Sequence, residues 1–203
     1  MFQHLRPALV LIVLFTILTG VVYPYAITGI AMVIVPERAG GSMITSKDTV
    51  IGSSLIGQNF TSDKYFHGRP SATNTPDPKD PSKNIDAPYN AANSGASNYG
   101  ATSQALSDRV KADVETMRKD GVTGPIPADA LTTSASGLDP DISPAFAALQ
   151  VARVAKARNL PEDRVRALVA SQTSGRFLGF IGEPHVNVLE LNLALDRLTK
   201  GAA

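Results

Sequence analysis

The stretch Ser171–Arg176 (SQTSGR) combines hydroxyl, amide, glycine and guanidinium groups, which proteins use to bind phosphate. Its candidate nucleotide-binding residues are Gln172, Thr173, Gly175 and Arg176. A P-loop, however, has the pattern GxxxxGK[ST] and precedes a helix. This stretch has one glycine and no lysine, and it follows a predicted helix. The sequence therefore favours a helix C-terminus capped by Gly175 and leading into a strand.

Other groups that could do chemistry lack the required spacing. Asp139–Asp141 resembles the start of a calcium loop, but Pro144 and Gln150 stand where an EF-hand needs Gly and Glu. We expect a turn that begins and caps a helix instead. The three histidines (His4, His67 and His185) are isolated from one another, so we expect no metal site. The hydrolase patterns GxSxG, SxxK and HExxH do not occur, and we expect no catalytic residues.

The composition excludes several classes of function. The chain has 203 residues, 43% of them hydrophobic, and it contains no Cys, so disulfides and thiolate chemistry are absent. Its formal net charge is only +1. Binding to nucleic acid depends on an excess of Lys and Arg, so we expect no nucleic-acid partner.

An uncharged apolar segment of 29 residues, Pro7–Val35, lies near the N-terminus. About 20 apolar residues suffice to cross a bilayer as a helix. The alternative is a cleavable signal peptide, with Gly29–Ala31 as its cleavage site. The segment is much longer than the roughly 7–15 apolar residues of a signal peptide, which favours a retained single-pass anchor.

The charges that flank this segment predict its orientation. Arg6 precedes it, whereas Glu37 and Arg38 offset each other after it. The positive-inside rule therefore places residues 1–6 in the cytoplasm, 7–35 in the inner membrane and 36–203 outside, in the periplasm.

Four small or helix-perturbing residues follow one another at four-residue spacing in the anchor: Thr16, Gly20, Pro24 and Thr28. Such a stripe allows another membrane helix to approach closely. We therefore predict a partner-contact face there, although Thr, Gly and Pro are also simply common in membrane helices.

The rest of the chain predicts a single extracytoplasmic α+β domain rich in helix. Strands are expected within Val50–Phe60 and, buried, at Phe177–Ile181. Tyr65–Pro70 is expected to be the end of a strand that runs into a turn. Ser71–Ser103 is a long polar loop with four prolines, and we expect it to be a partner-contacting excursion. Helices are expected at Gln104–Lys119, Pro144–Arg158, Pro161–Thr173 and Asn187–Leu198, the last of which also alternates as a strand would.

Several longer blocks resemble the KdpC family, the C subunit of the bacterial Kdp potassium-transporting P-type ATPase. The matching blocks are the anchor with Gly20 and Pro24, SLIGQNF, YFHGRPSA, SGLDPDISPAFAALQVARVAKAR and LGFIGEPHVNVLELNLALD. The resemblance covers nearly the whole chain.

The resemblance implies an accessory subunit in an ATP-driven potassium-uptake complex. Its partners would be a potassium-channel-like subunit, a P-type ATPase subunit and a small membrane subunit, together with membrane lipid. ATP and potassium would be handled by those partners, and this chain would have no cofactor of its own. The family is described as a catalytic chaperone that raises the ATP affinity of the ATPase subunit.

One residue departs from the family pattern. Gln172 stands where the family often has His, and Gln shares its hydrogen bonding but not its proton transfer. A fixed acid–base role there is therefore not expected. The rival hypothesis is a stand-alone membrane-anchored enzyme or binding module, which would need a cleft with convergent ionisable groups.

Overall fold

A computed structural model describes residues 2–46 and 48–200 of the chain. The polypeptide forms two compact units, Met1–Ser53 and Ser54–Ala203. Both helix and strand are present, which confirms the predicted mixture of the two.

The first unit is dominated by one apolar helix. After a 3₁₀ turn, Phe2–His4, it runs through α1 (Leu5–Ile17), a π-helical turn (Leu18–Val22) and α2 (Tyr23–Ile34). These 30 residues, Leu5–Ile34, are long and apolar enough to cross a membrane, and none of their side chains is buried. At 1.5 Å per residue the helix spans about 45 Å, more than the roughly 30 Å of a hydrocarbon core. The predicted N-terminal apolar helix is confirmed.

The π-helical turn ends two residues before Pro24. The amide of Tyr23 donates to the carbonyl of Leu18, five residues back, instead of four. Proline has no N–H, and its ring crowds the carbonyl four residues earlier, so a wider turn relieves the conflict. The hydroxyl of Thr19 also donates to the carbonyl of Phe15 at 2.6 Å.

A short segment follows the apolar helix. Helix α3 (Pro36–Ala39) leads into strands β1 (Met43–Ser46) and β2 (Thr49–Ser53), which pair antiparallel with a bulge between Ile44 and Thr45. The strand predicted within Val50–Phe60 is therefore confirmed for its first part. Residues 54–60 form turns and extended chain instead.

The second unit packs three helices and a small sheet around one core. The helices are α5 (Pro144–Arg158), α6 (Glu162–Ser171) and α7 (Val188–Lys200). The sheet has the order β5 (Asp141–Ile142), β7 (His185–Asn187), β6 (Thr173–Ser174), and its pairs are antiparallel. The core includes Phe66, Phe146, Val151, Val154, Val165, Val186, Leu191 and Leu195.

Helix positions follow local capping signals. Ser143 caps α5, because its hydroxyl accepts the amide of Phe146 at 3.0 Å, and Pro144 follows at the first helical position. The side chain of Asn187 accepts the amide of Glu190 at 3.1 Å and caps α7. The helices predicted at Gln104–Lys119 (α4) and Pro144–Arg158 have the expected bounds, and Asn187–Leu198 is helical as predicted.

Three predictions in this unit are wrong. Tyr65–Pro70 contains no strand, although it is extended. Phe177–Ile181 is an exposed turn closed by one bridge, not a buried strand. Helix α6 ends at Ser171, so Gly175 does not cap it. Thr173 instead pairs with Val186 in the sheet, which ends the helix four residues before that glycine.

The polar segment Ser71–Ser103 contains a hairpin of its own. Strands β3 (Asn74–Pro76) and β4 (Asn84–Asp86) pair antiparallel. The buried hydroxyl of Thr73 donates to the carbonyl of Ala87 at 2.6 Å and accepts the amide of Asn90 at 3.1 Å. The segment is therefore held by its own hydrogen bonds. A further 3₁₀ turn, Ala128–Ala130, precedes β5.

Candidate functional site

The predicted nucleotide-binding residues lie at the end of α6 and in strand β6. Gln172 is the C-cap of α6, and the hydroxyl of Thr173 donates back to the carbonyl of Val169 at 2.8 Å. The C-terminus of a helix carries partial negative charge, whereas phosphate binds at the positive N-terminus. This position therefore does not favour an anion.

Arg176, the cationic residue of Ser171–Arg176, already forms an ion pair. Nη2 of Arg176 lies 2.7 Å from Oε2 of Glu183, and both side chains are substantially exposed. A cavity of about 370 Å³ is lined by Glu183, Pro184 and His185, but by none of the four predicted nucleotide-binding residues. The four residues are therefore neighbours in the sequence, but they do not line this cavity.

A larger cavity, of about 510 Å³, lies beside the extended segment that includes Arg69. Arg69 pairs with Asp139 at 2.9 Å, and Asp113, which also lines this cavity, pairs with Arg109 at 2.9 Å. These charges neutralise one another. They stabilise the wall of the cavity and leave neither Arg69 nor Asp113 as a free acid or base.

Tyr89 connects the cavity to two glycines. Burial, with a smaller contribution from Asp139, raises the pKa of Tyr89 to about 12, and its hydroxyl donates to the carbonyl of Arg69 at 2.8 Å. A side chain at Gly57 or Gly68 would collide with the Tyr89 ring or hydroxyl. At Gly57 it would also lie 2.6 Å from the carbonyl oxygen of Asp139. The absence of a side chain at Gly57 and Gly68 therefore allows the segments that contain them to pack closely against Tyr89.

Two side-chain amides hold the extended segment Phe66–His67 in place. Asn192 accepts the amide of Phe66 at 2.8 Å and donates to its carbonyl at 3.0 Å. Gln150 does the same for His67, at 2.7 and 3.0 Å. Each amide side chain thus replaces a neighbouring strand. The sequence analysis did not identify this role for either residue, because the partners are 83 and 126 positions apart.

His67 is the titratable group of that segment. Burial, and then the nearby Arg153, lower its pKa below the usual 6.5. Its Nε2 lies 3.1 Å from the carbonyl of Ser62. Within residues 2–46 and 48–200, no group of three or more His, Asp or Glu side chains could hold a metal ion.

The predicted partner-contact stripe lies on the apolar helix. Thr16 is in α1, Gly20 is in the π-helical turn, and Pro24 and Thr28 are in α2; all four are exposed. In an α-helix, a residue four positions along lies about 40° past a full turn. The wider π-helical turn partly offsets this drift. The contact face stays a prediction.

Comparison with known proteins matches nearly the full length of the chain to one family. The family model described as "KdpC: K+-transporting ATPase, c chain" matches residues 5–197. Three similar proteins carry the name "Potassium-transporting ATPase KdpC subunit". The protein from Methylobacterium nodulans is 63% identical over 198 residues, which cover 98% of each chain. The one from Bradyrhizobium diazoefficiens is 59% identical over 197 residues, 97% of this chain and 98% of its own. The one from Rhodopseudomonas palustris strain BisB5 is 58% identical over 200 residues, 98% of this chain and 100% of its own.

These matches confirm the resemblance inferred from the sequence blocks. They include both the apolar helix and nearly all of the second unit, and the relatives have about the same length. The chain therefore belongs to the KdpC family.

Proposed function

We propose that this chain is an accessory, non-catalytic subunit of an ATP-driven potassium-uptake complex. The observation that carries the proposal is the family match over residues 5–197, which includes the whole membrane-length helix. Relatives similar along almost their full length are named as subunits of a potassium-transporting ATPase. In this proposal, partner subunits pass the potassium and hydrolyse the ATP: a channel-like subunit, a P-type ATPase subunit and a small membrane subunit.

The helix Leu5–Ile34 anchors the chain in the inner membrane. Arg6 provides a positive charge at the N-terminal end of this helix, and Glu37 offsets Arg38 after its C-terminal end. The N-terminus therefore lies in the cytoplasm and residues 36–203 lie in the periplasm. Because cytoplasmic ATP is then on the opposite side of the membrane, the folded unit does not bind it directly.

An effect on ATP affinity, as expected of a catalytic chaperone, would be a coupling free energy between sites. The anchor is the element that can transmit it, through packing against membrane helices of the partners. The stripe Thr16, Gly20, Pro24 and Thr28 provides the surface, since small residues permit close helix approach.

Co-purification tests membership of the complex. Full-length tagged chain, purified in mild detergent from potassium-starved cells, is expected to recover the ATPase and channel-like subunits in constant ratio. Recovery of the chain alone would contradict the proposal and favour the rival, a stand-alone anchored enzyme or binding module.

Two glycine substitutions test the contact face with a matched control. Gly20→Leu and Gly29→Leu both place a side chain where nothing lies within 4 Å in the chain itself. Gly20 belongs to the stripe and Gly29 does not. We expect Gly20→Leu to reduce partner recovery severalfold, while Gly29→Leu leaves it unchanged. Equal recovery with both variants would exclude the stripe as the contact.

A third substitution tests indirect action on ATP. Arg176→Ala is expected to leave the ATP affinity of the assembled pump within about twofold, which is about 0.4 kcal/mol. Arg166→Ala is the control, because Arg166 also forms an exposed ion pair, with Glu162 at 3.5 Å. A drop of about tenfold, or 1.4 kcal/mol, with Arg176→Ala alone would indicate that the second unit does bind nucleotide.

A further inference from the structure

The turn Phe177–Ile181 exposes four large apolar side chains. Phe177, Leu178, Phe180 and Ile181 are 69, 70, 72 and 50% exposed. The remaining residue of the turn is Gly179, so the turn carries neither a formal charge nor a polar side chain. Isolated exposed apolar residues are ordinary, but four in five consecutive positions form a patch.

The backbone conformation of the turn holds leucine where glycine or asparagine is favoured. Leu178 has φ +53° and Gly179 has φ +84°. The left-handed region is unfavourable for a bulky side chain, and strain of this kind accompanies function more often than chance. Leu178 therefore occupies a surface position whose backbone conformation is unfavourable for leucine. Burial of its side chain does not offset this cost, because the side chain is exposed.

The turn pairs most of its own amide groups. Phe177 and Ile181 exchange two hydrogen bonds of 2.9 Å. The amide of Gly179 donates to the carbonyl of Arg176 at 3.0 Å, and that of Phe180 donates to the carbonyl of Phe177 at 3.3 Å. Four of the five amides thus need no water, which lowers the free energy of entering an apolar medium.

Charged groups begin where the apolar turn ends. Arg176 precedes it and pairs with Glu183, which lies two residues beyond it, at 2.7 Å. An uncharged tip above a neutralised ion pair matches the profile of a bilayer edge, in which apolar chains lie below polar headgroups.

We propose that the turn Phe177–Ile181 inserts into the lipid interface as a second membrane contact of this chain. Five residues are too few for a stable protein interface, which needs about 20–30 residues on each side, whereas a bilayer accepts an isolated apolar tip. The helix Leu5–Ile34 ties the chain to a membrane, so the effective concentration of lipid is high. The proposal does not depend on the assignment to potassium transport.

Tryptophan fluorescence tests this in the full-length chain, which contains no natural Trp. Phe180→Trp places the probe at the tip, and Tyr99→Trp places it at an exposed aromatic position, 48% exposed, in the polar segment Ser71–Ser103. Each variant is reconstituted into vesicles of phosphatidylethanolamine and phosphatidylglycerol with and without brominated acyl chains. We expect quenching by the brominated lipid to be severalfold stronger at position 180 than at position 99.

A second substitution reports on insertion itself. In the Phe180→Trp chain, Leu178→Asp is expected to abolish most of the lipid quenching, because a charge opposes entry into the interface. Both replaced side chains are exposed, so the core packing is unaffected. Quenching at position 180 no stronger than at position 99 would overturn the proposal. A second result would also overturn it: a probe that iodide quenches in vesicles and that becomes protected only when partner subunits are added. That result would identify a protein surface as the binding site of the turn.

Discussion

Replacing Asn192 by leucine tests how the extended segment at Phe66 is held. Asn192 is 1% exposed, and its amide accepts the N–H of Phe66 at 2.8 Å and donates to its carbonyl at 3.0 Å. Leucine has a similar volume but can form neither hydrogen bond. Phe66 is 0% exposed, so no water can replace the lost partner.

The expected loss of stability follows from those two backbone groups. A buried donor or acceptor left without a partner costs about 1–3 kcal/mol, so the loss of two partners in Asn192→Leu is expected to lower the free energy of unfolding by about 2–6 kcal/mol. For a domain of this size each kcal/mol lowers the melting temperature by roughly 2–4 °C. The loss is a large part of the about 5–15 kcal/mol by which folded domains are stable.

The assay is urea unfolding of the full-length chain in detergent, with circular dichroism as the signal. The control is Asn84→Leu, because Asn84 is exposed in strand β4 and its replacement is expected to change stability by less than about 0.5 kcal/mol. If Asn192→Leu unfolds at the same urea concentration as the wild type, the amide does not hold the segment and the reasoning is refuted.

Three further predictions concern packing and pH. Gly57→Ala is expected to destabilise the chain by about 1–3 kcal/mol in the same assay, because its Cβ would lie 2.6 Å from the carbonyl oxygen of Asp139. Gly100→Ala, with nothing within 4 Å, is the control, and an equal effect of both would contradict the clash. The pKa of His67 is lowered, so the unfolded chain takes up the proton first and stability falls as pH drops below about 6.5. That pH dependence is expected to diminish in His67→Gln, and an unchanged profile would count against it. The pKa of Tyr89 is raised to about 12, so the folded state keeps its proton longer and stability falls as pH rises from about 10 to 12. Tyr89→Phe is expected to remove this fall; if the fall persists, another group causes it.

The helices of the second unit could be predicted because their signals are local. The apolar spacing of Gln104–Lys119 and the caps at Ser143 and Asn187 each depend on residues within one turn. The end of α6 could not be predicted in this way. Thr173 leaves the helix because it pairs with Val186, 13 positions further along the chain.

Long-range contacts also explain why the extended segment Tyr65–Pro70 is not a strand. The segment is extended, but its hydrogen-bond partners are the side chains of Gln150 and Asn192 instead of a neighbouring strand. At Phe177–Ile181 the apolar composition of the sequence predicts burial. The positive φ angles of Leu178, Gly179 and Gly182 reverse the chain there and leave the apolar side chains exposed.

The candidate sites were predictable only in part. The membrane-length helix and the family follow from the sequence, because length, apolar composition and sequence blocks are visible in one dimension. The ion pair that engages Arg176, and the exposed apolar turn beside it, require the fold. The partner contacts of Gly20 and its neighbours remain predictions.

Thiol labelling of intact spheroplasts tests the central claim, that the apolar helix anchors the chain and holds residues 36–203 outside the cytosol. The chain has no Cys, so a single Cys can be placed at exposed Lys79 or, as a control, at exposed His4 before the helix. A membrane-impermeant maleimide added to spheroplasts is expected to label Lys79→Cys at once and His4→Cys only after lysis. Labelling of Lys79→Cys only after lysis would contradict the account.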